Sequence, residues 1–170
     1  MTEFTLHQEL WLPRRRDDLF SFFADAKNLE AITPPWLNFR ILTPVPIVMR
    51  SGTLIDYALR LWGLPLRWRS EITAWDAPHR FVDEQRRGPY RRWIHEHRFE
   101  EHNGGTLCVD HVRYAVFGGR LVEWLFVRRD LERIFAFRRG KLLELFAENG
   151  QAAGHGITFP PAINPNPVDA

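Results

Sequence analysis

Apolar and polar residues alternate from the first turn of the chain. Over 3–11, Phe4, Leu6, Gln8 and Leu10 share one face, which predicts a strand. Pro13 ends it and suits the first turn of a helix. Asp17, Asp18, Leu19, Phe20, Phe22 and Phe23 then read as a short amphipathic helix, and 25–32 as a second, stopped by Thr33-Pro34-Pro35. From residue 39 the period returns to two. A brief strand at 39–43 is followed by strands over 53–61, 66–75, 80–85, 93–99 and 106–116. Gly63-Leu64-Pro65, Gly88-Pro89 and Asn103-Gly104-Gly105 mark the turns.

The period then lengthens. Residues 119–146 read as one long helix. Leu121, Trp124, Leu125, Leu131, Phe135, Leu142 and Phe146 form an apolar stripe, with Glu123, Asp130, Arg133, Lys141 and Glu144 opposite. After Asn149-Gly150 no period is visible. This divides the chain into a domain over 1–148 and a flexible Pro/Gly-containing tail over 149–170. The order β-α-α-β6-α, with tight turns between strands, predicts an α+β fold: a curved antiparallel sheet of about seven strands wrapped around the final helix. One helix rarely fills such a concave face, so a cavity between the two is expected.

Composition narrows the function. The chain has 170 residues, enough for one substantial core, and no apolar run long enough to span a bilayer. The N-terminus lacks the apolar stretch of a signal peptide, and Cys108 is the single cysteine, which fits a reducing compartment. A cytoplasmic location is therefore expected. The net charge of +2 is small, and Arg14, Arg15, Arg16, Arg86 and Arg87 are interleaved with Asp17, Asp18, Asp83 and Glu84. That pattern is a solvated surface, and no nucleic-acid partner is expected.

The candidate chemistry lies on the inward-facing alternations. His95 and His97 sit between Trp93 and Phe99 on one strand face. Asp83 and Gln85 share a face with Phe81, and Asp110 and Tyr114 share one with Cys108 and Val112. Buried carboxylates must be paired, and His–Asp pairing would satisfy both partners. Three readings stay open: a network that fixes strand register, one that orients a ligand, or an acid–base pair. A metal is not expected, because His95-x-His97 supplies two ligands and no HExxH or CxxC pattern adds more. On the long helix, Arg128 and Glu132 are four apart, a spacing for a mutual pair; Arg128 reaching into the cavity is the alternative. Tyr57, Trp68, Trp93 and Trp124 are candidate aromatic lining. Trp62-Gly63-Leu64-Pro65 reads as an exposed apolar hairpin tip.

The order of elements resembles the SRPBCC superfamily, the helix-grip proteins that include START lipid-transfer domains, the birch-pollen allergen group and polyketide cyclases. It is most similar to a bacterial ligand-binding SRPBCC family, some of whose members are cyclase-like or fused to epimerase-like proteins. The motifs that carry this are Asn28-Leu29 through Trp36, Phe81 to Gln85, Gly88-Pro89-Tyr90, Trp93-x-His95-x-His97-x-Phe99, and Gly105-Thr106 with Asp110, Val112 and Tyr114. The resemblance implies binding of a small hydrophobic or aromatic molecule, with His95, His97, Asp83, Asp110 and Arg128 orienting its polar end and no cofactor. The alternatives it carries are two. One is a cyclase or dehydratase in which a His/Asp pair abstracts a proton beside a carbonyl and Arg128 or Tyr114 stabilises the enolate. The other is an interaction domain, partnering a second copy or a separate epimerase-like or membrane enzyme.

Overall fold

The computed structural model describes residues 1–147 and 157–161. Seven strands form one antiparallel sheet: β1 (Phe4–Leu12), β2 (Arg40–Ile41), β3 (Leu54–Leu61), β4 (Leu64–Asp76), β5 (Arg80–Arg87), β6 (Arg92–His102) and β7 (Gly105–Ala115). Their spatial order is β1-β7-β6-β5-β4-β3-β2. β2 to β7 are thus a meander, and β1 returns to close the far edge against β7. Register shifts between Arg69 and Ser70 and between Ile72 and Ala74 interrupt the β4–β5 ladder. Such irregularities bend and twist a strand, which curves the sheet around what it grips.

Two hairpins show why the turns fall where they do. Asn103 and Gly104 have φ of 46° and 74°, and Trp62 and Gly63 have 50° and 80°. Positive φ at both central residues suits the twist of the flanking strands, and glycine adopts it without cost. The first turn matches the sequence expectation. The second lies one residue earlier than expected, so Leu64 and Pro65 belong to β4, opposite Leu61 and Arg60.

Between β1 and β2 lie α1 (Arg16–Ala24), α2 (Ala26–Ala31) and a 3₁₀ turn, Pro35–Leu37. Asp25 caps α2, accepting a hydrogen bond from Lys27 N at 3.0 Å. The last helix has three parts: α3 (Gly119–Val122), a π-helical turn (Glu123–Val127) and α4 (Arg128–Phe146).

That π turn corrects the apolar stripe read from the sequence. A π turn takes in one extra residue, so the helix face before it is rotated relative to the face after it. Val122 and Val127, five apart, both pack inward. Leu121, Trp124 and Leu125, expected on the stripe, are instead exposed, Trp124 at 66%. Glu123, expected on the solvent side, is 1% exposed. From Leu131 onward the expected phase holds: Leu131, Phe135 and Leu142 are buried.

The core has two main apolar ends. One holds Leu10, Phe20, Phe81, Phe99 and Leu142 beneath α1; the other holds Leu6, Trp93, Val112, Tyr114 and Phe135. Of the tail, 157–161 is described: Thr158 bridges His7 through two backbone hydrogen bonds of 2.9 Å. The rest of the segment read as flexible lies outside the described residues. No helix among the described residues is long and apolar enough to cross a membrane.

Candidate functional site: a polar belt between two apolar cores

Four of the elements around the core, β1, β6, β7 and α4, change from apolar to polar part-way along their inward faces. On β6 the inward run is Trp93, His95, His97, Phe99, and on β7 it is Cys108, Asp110, Val112. On β1, Gln8 lies between Leu6 and Leu10; on α4, Arg138 lies between Phe135 and Leu142. Strand register fits these positions together. Gln8 pairs with Asp110, Asp110 with His97, and His95 with Asp83. Gln8, His95, His97, Asp110 and Arg138 are all buried, and the belt runs between the two apolar ends, which Trp68 also touches.

The two histidines lie between two carboxylates. His95 Nε2 is 3.0 Å from Asp110 Oδ1, and His97 Nε2 is 3.3 Å from Asp83 Oδ2. The other two nitrogens face the opposite acids: His97 Nδ1 is 2.8 Å from Asp110 Oδ1, and His95 Nδ1 is 3.8 Å from Asp83 Oδ2. The 2.8 Å contact is close but off the axis of a hydrogen bond, which leaves His97 Nδ1 without an aligned partner. The rings stand 3.8 Å apart between centroids, and His97 also stacks on Phe81 at 4.3 Å. Arg138 Nη2 lies 3.6 Å from Asp110 Oδ1, with its guanidinium over the Phe23 ring. Ser70 Oγ donates to Asp83 Oδ1 at 3.4 Å and accepts from Trp68 Nε1 at 3.1 Å.

Proximity of unlike charges sets the protonation states. Burial opposes ionisation of Asp110, but the Arg138 charge and the contacts with His95 and His97 outweigh it and hold its carboxyl well below the usual range. Asp83 is also lowered: burial opposes its charge, and the His97 contact with the His95 and Arg138 fields overcomes that. The histidines diverge. Burial, reinforced by the neighbouring His97 charge, pushes His95 down to about 4. Burial also works against His97, but its contacts with Asp110 and Asp83 prevail and raise it above the ordinary value. The belt's carboxylates are therefore held ionised, and of the two histidines His97 is the one favoured to carry a proton. A protonated His97 beside Arg138 would balance the two carboxylates, as a low-dielectric site favours.

The belt opens on a cavity of about 210 Å³ between the sheet and α4. Its walls are largely apolar, including Phe22, Phe39, Ile55, Leu59 and Phe135, and its polar corner holds Ser70, Asp83, His95, His97 and Arg138. Tyr57, Trp68 and Trp93 line it, as the sequence pattern expected. Burial raises the Tyr57 and Tyr90 phenols, so both are neutral donors on the wall.

Other candidate residues are placed elsewhere. Asp110 stands behind the histidines. Gln85 holds the turn before β6 by bonding both backbone groups of Tyr90, donating to O at 2.7 Å and accepting from N at 3.2 Å. Tyr114 is fully buried, donating to Glu123 Oε1 at 2.9 Å. Arg128 pairs neither with Glu132 nor with the cavity. It donates to both oxygens of Glu123, at 3.0 and 3.2 Å, and lies over Phe159. The π turn is the reason, since it brings Glu123 inward to a position that regular helical spacing does not give. The sequence reading missed Arg138, although Leu131, Phe135, Arg138 and Leu142 continue one helical stripe and an arginine in that run is a visible signal.

The description "Polyketide cyclase / dehydrase and lipid transport" belongs to the family model that matches residues 12–136. The chain belongs to this family. Its solved neighbours share the fold at low identity. A Mycobacterium smegmatis protein, Ms6760, is 19% identical with a TM-score of 0.62, the match covering 83% of this chain and 89% of that one. The major latex-like protein 151 of Panax ginseng is 11% identical with a TM-score of 0.63, covering 86% and 99%. A nucleoside-diphosphate sugar epimerase of Corynebacterium glutamicum is 22% identical with a TM-score of 0.56. There the match covers 81% of this chain but 28% of the epimerase. No curated protein matches the chain. Helix-grip members share a cavity rather than a chemistry, so the family name leaves the ligand to be argued from the site.

Proposed function

We propose that the chain binds a small hydrophobic or aromatic molecule in the cavity, with the molecule's polar end at Arg138 and the histidine pair. The observation that carries this is an unpaired donor in an apolar enclosure. Arg138 is buried and lines the cavity, yet its Nε has no hydrogen-bond partner. Leaving a charged donor unsatisfied costs several kcal/mol in a dry site, and a ligand oxygen would remove that cost. The aromatic walls of Trp68, Trp93 and Tyr57 suit a planar or acyl body, and the family's description, which includes lipid transport, points the same way.

Native mass spectrometry of the protein from its host, with thermal shift against hydrophobic and aromatic compounds, tests this. A bound molecule is expected, or at least one compound that raises the melting temperature. Arg138→Gln is expected to weaken that binding about tenfold, the loss of one charge-assisted hydrogen bond. A protein that carries nothing and responds to no such compound would overturn the reading.

A further inference from the structure

Three atoms in the polar corner have the separations of a metal site. Asp83 Oδ2 is 3.3 Å from His97 Nε2 and 3.8 Å from His95 Nδ1, and one ligand atom from each residue lies within 4.8 Å of the others. Two donors each about 2.0–2.1 Å from a tetrahedral ion stand about 3.4 Å apart. The corner is therefore close to ligand spacing with small side-chain adjustments. We propose that Asp83, His95 and His97 bind one divalent first-row transition ion, of which Zn²⁺ is the probe, with its remaining position open to the cavity.

What surrounds the three ligands supports this. The ring nitrogens not used for the ion, His95 Nε2 and His97 Nδ1, both face Asp110 Oδ1, at 3.0 and 2.8 Å. The carboxylate bonded behind His95 fixes its tautomer and raises its basicity, and the same carboxylate lies close behind His97, off the hydrogen-bond axis, and acts there through its charge. Ser70 donates to Asp83 Oδ1, the oxygen the ion does not need, and Oδ2 is the oxygen turned to the histidines. All three ligands project from adjacent strands β5 and β6, where Asp83 and His95 are direct partners in register. Rigid strands hold such a set better than loops. All three also line the cavity.

Charge fits as well. Asp83⁻ and Asp110⁻ balance a divalent ion between neutral imidazoles, and Arg138 sits on the Asp110 side, 3.6 Å from Oδ1 and outside the ligand set. The sum of +1 favours an anion, such as hydroxide or a ligand oxyanion, in the open position. Two imidazoles and one carboxylate suit zinc, iron or cobalt rather than calcium or magnesium, which take oxygen ligands. Cys108 is no competitor: it is buried, and burial raises its thiol. The proposal needs only these side chains and holds whether or not an apolar molecule fills the cavity.

The full chain, stripped with a chelator, is titrated with Zn²⁺ by calorimetry and with Co²⁺ by visible absorption. One equivalent of each is expected, with cobalt giving visible bands of low coordination number and no sulfur charge-transfer band. Asp83→Asn and His97→Gln, each checked for fold by circular dichroism, are expected to lose affinity by at least about 100-fold. Asp110→Asn, which removes the carboxylate behind the ligands, should lose about 10–100-fold while keeping the stoichiometry. His111→Gln is the control. His7 and His111 lie close together near the surface, at 6.2 Å between centroids beside Glu9, and would be the place for adventitious ion binding. Failure of the folded wild type to bind one equivalent overturns the proposal. So does loss of binding in His111→Gln with retention in Asp83→Asn and His97→Gln. Should one belt variant fail to fold, the other, together with the wild-type cobalt spectrum, decides.

Discussion

Two buried polar clusters sit on the same sheet and helix, and they differ in whether their partners are complete. Near the start of the long helix, Glu123 accepts from Tyr114 and takes both a second and a third bond from Arg128. None of these three residues lines the cavity between the sheet and α4. About three helical turns further on, Arg138 meets Asp110 at 3.6 Å and keeps an unpaired Nε, and His97 Nδ1 lacks an aligned partner. That group lines the cavity. The difference teaches how to sort buried polar residues: a closed set fixes structure, while a set with unmet valences on residues that line a void is available to a ligand.

Glu123→Ala is the largest test of the contrast. It removes the acceptor that Tyr114 and Arg128 share and leaves a hole at the π turn. About 3 kcal/mol of stability should be lost in chemical denaturation. Ligand affinity, corrected for the folded fraction, should not change; if it falls, the closed cluster is not separate from the site.

Acid should act on the belt next. In chelator-treated protein, His95 titrates at about 4 when folded against an ordinary 6.5. Between those values the unfolded chain binds a proton that the folded chain refuses, so stability falls as pH drops through that window. His97, raised above 6.5, is protonated in both states there and adds little slope. Asp83 and Asp110 are lowered, so their contribution is present above the ordinary 3.8 and is lost as pH falls below it. Denaturation midpoints at pH 7, 5 and 3.5 should decline in that order, and His95→Gln should flatten the first step. A midpoint independent of pH over 4–6.5 would contradict the assigned proton on His97 rather than His95.

Arg138→Gln should weaken the ligand about tenfold and, because it removes the charge that offsets buried Asp110, should cost stability as well, so both readouts move where Glu123→Ala moves stability alone. The smallest effect belongs to Trp124→Ser. Its side chain is exposed beyond the π turn, and a change within about 0.5 kcal/mol is expected from thermal denaturation. A loss of several kcal/mol would instead place Trp124 in the core, as uninterrupted helical spacing would have it.

Much of the frame is legible from local pattern because local pattern is what forms it. Alternation in 93–99 and 106–116 gives β6 and β7, Asn103-Gly104 gives the hairpin between them, and Thr33-Pro34-Pro35 closes the second helix. The inward placement of His95, His97, Asp83 and Asp110 follows from the same period of two. Tyr57, Trp68 and Trp93 follow too, since their strands are regular.

What the sequence by itself determined, then, is the order of elements, the side each strand residue faces, and the presence of more inward polar groups than a plain core would hold. Three things waited for the tertiary structure. Register across β5, β6 and β7 decided that Asp83 and Asp110 flank the histidines from opposite sides, because ladder pairing depends on bulges and turn positions far from the paired residues. The π turn decided that Glu123 is inside and Trp124 outside, because one added residue rephases a helix without changing its composition. And the packing of helix on sheet decided which polar groups are closed and which are not: Arg128 finds its carboxylate five residues back, while Arg138, a residue of the cavity wall, keeps an Nε without a hydrogen-bond partner.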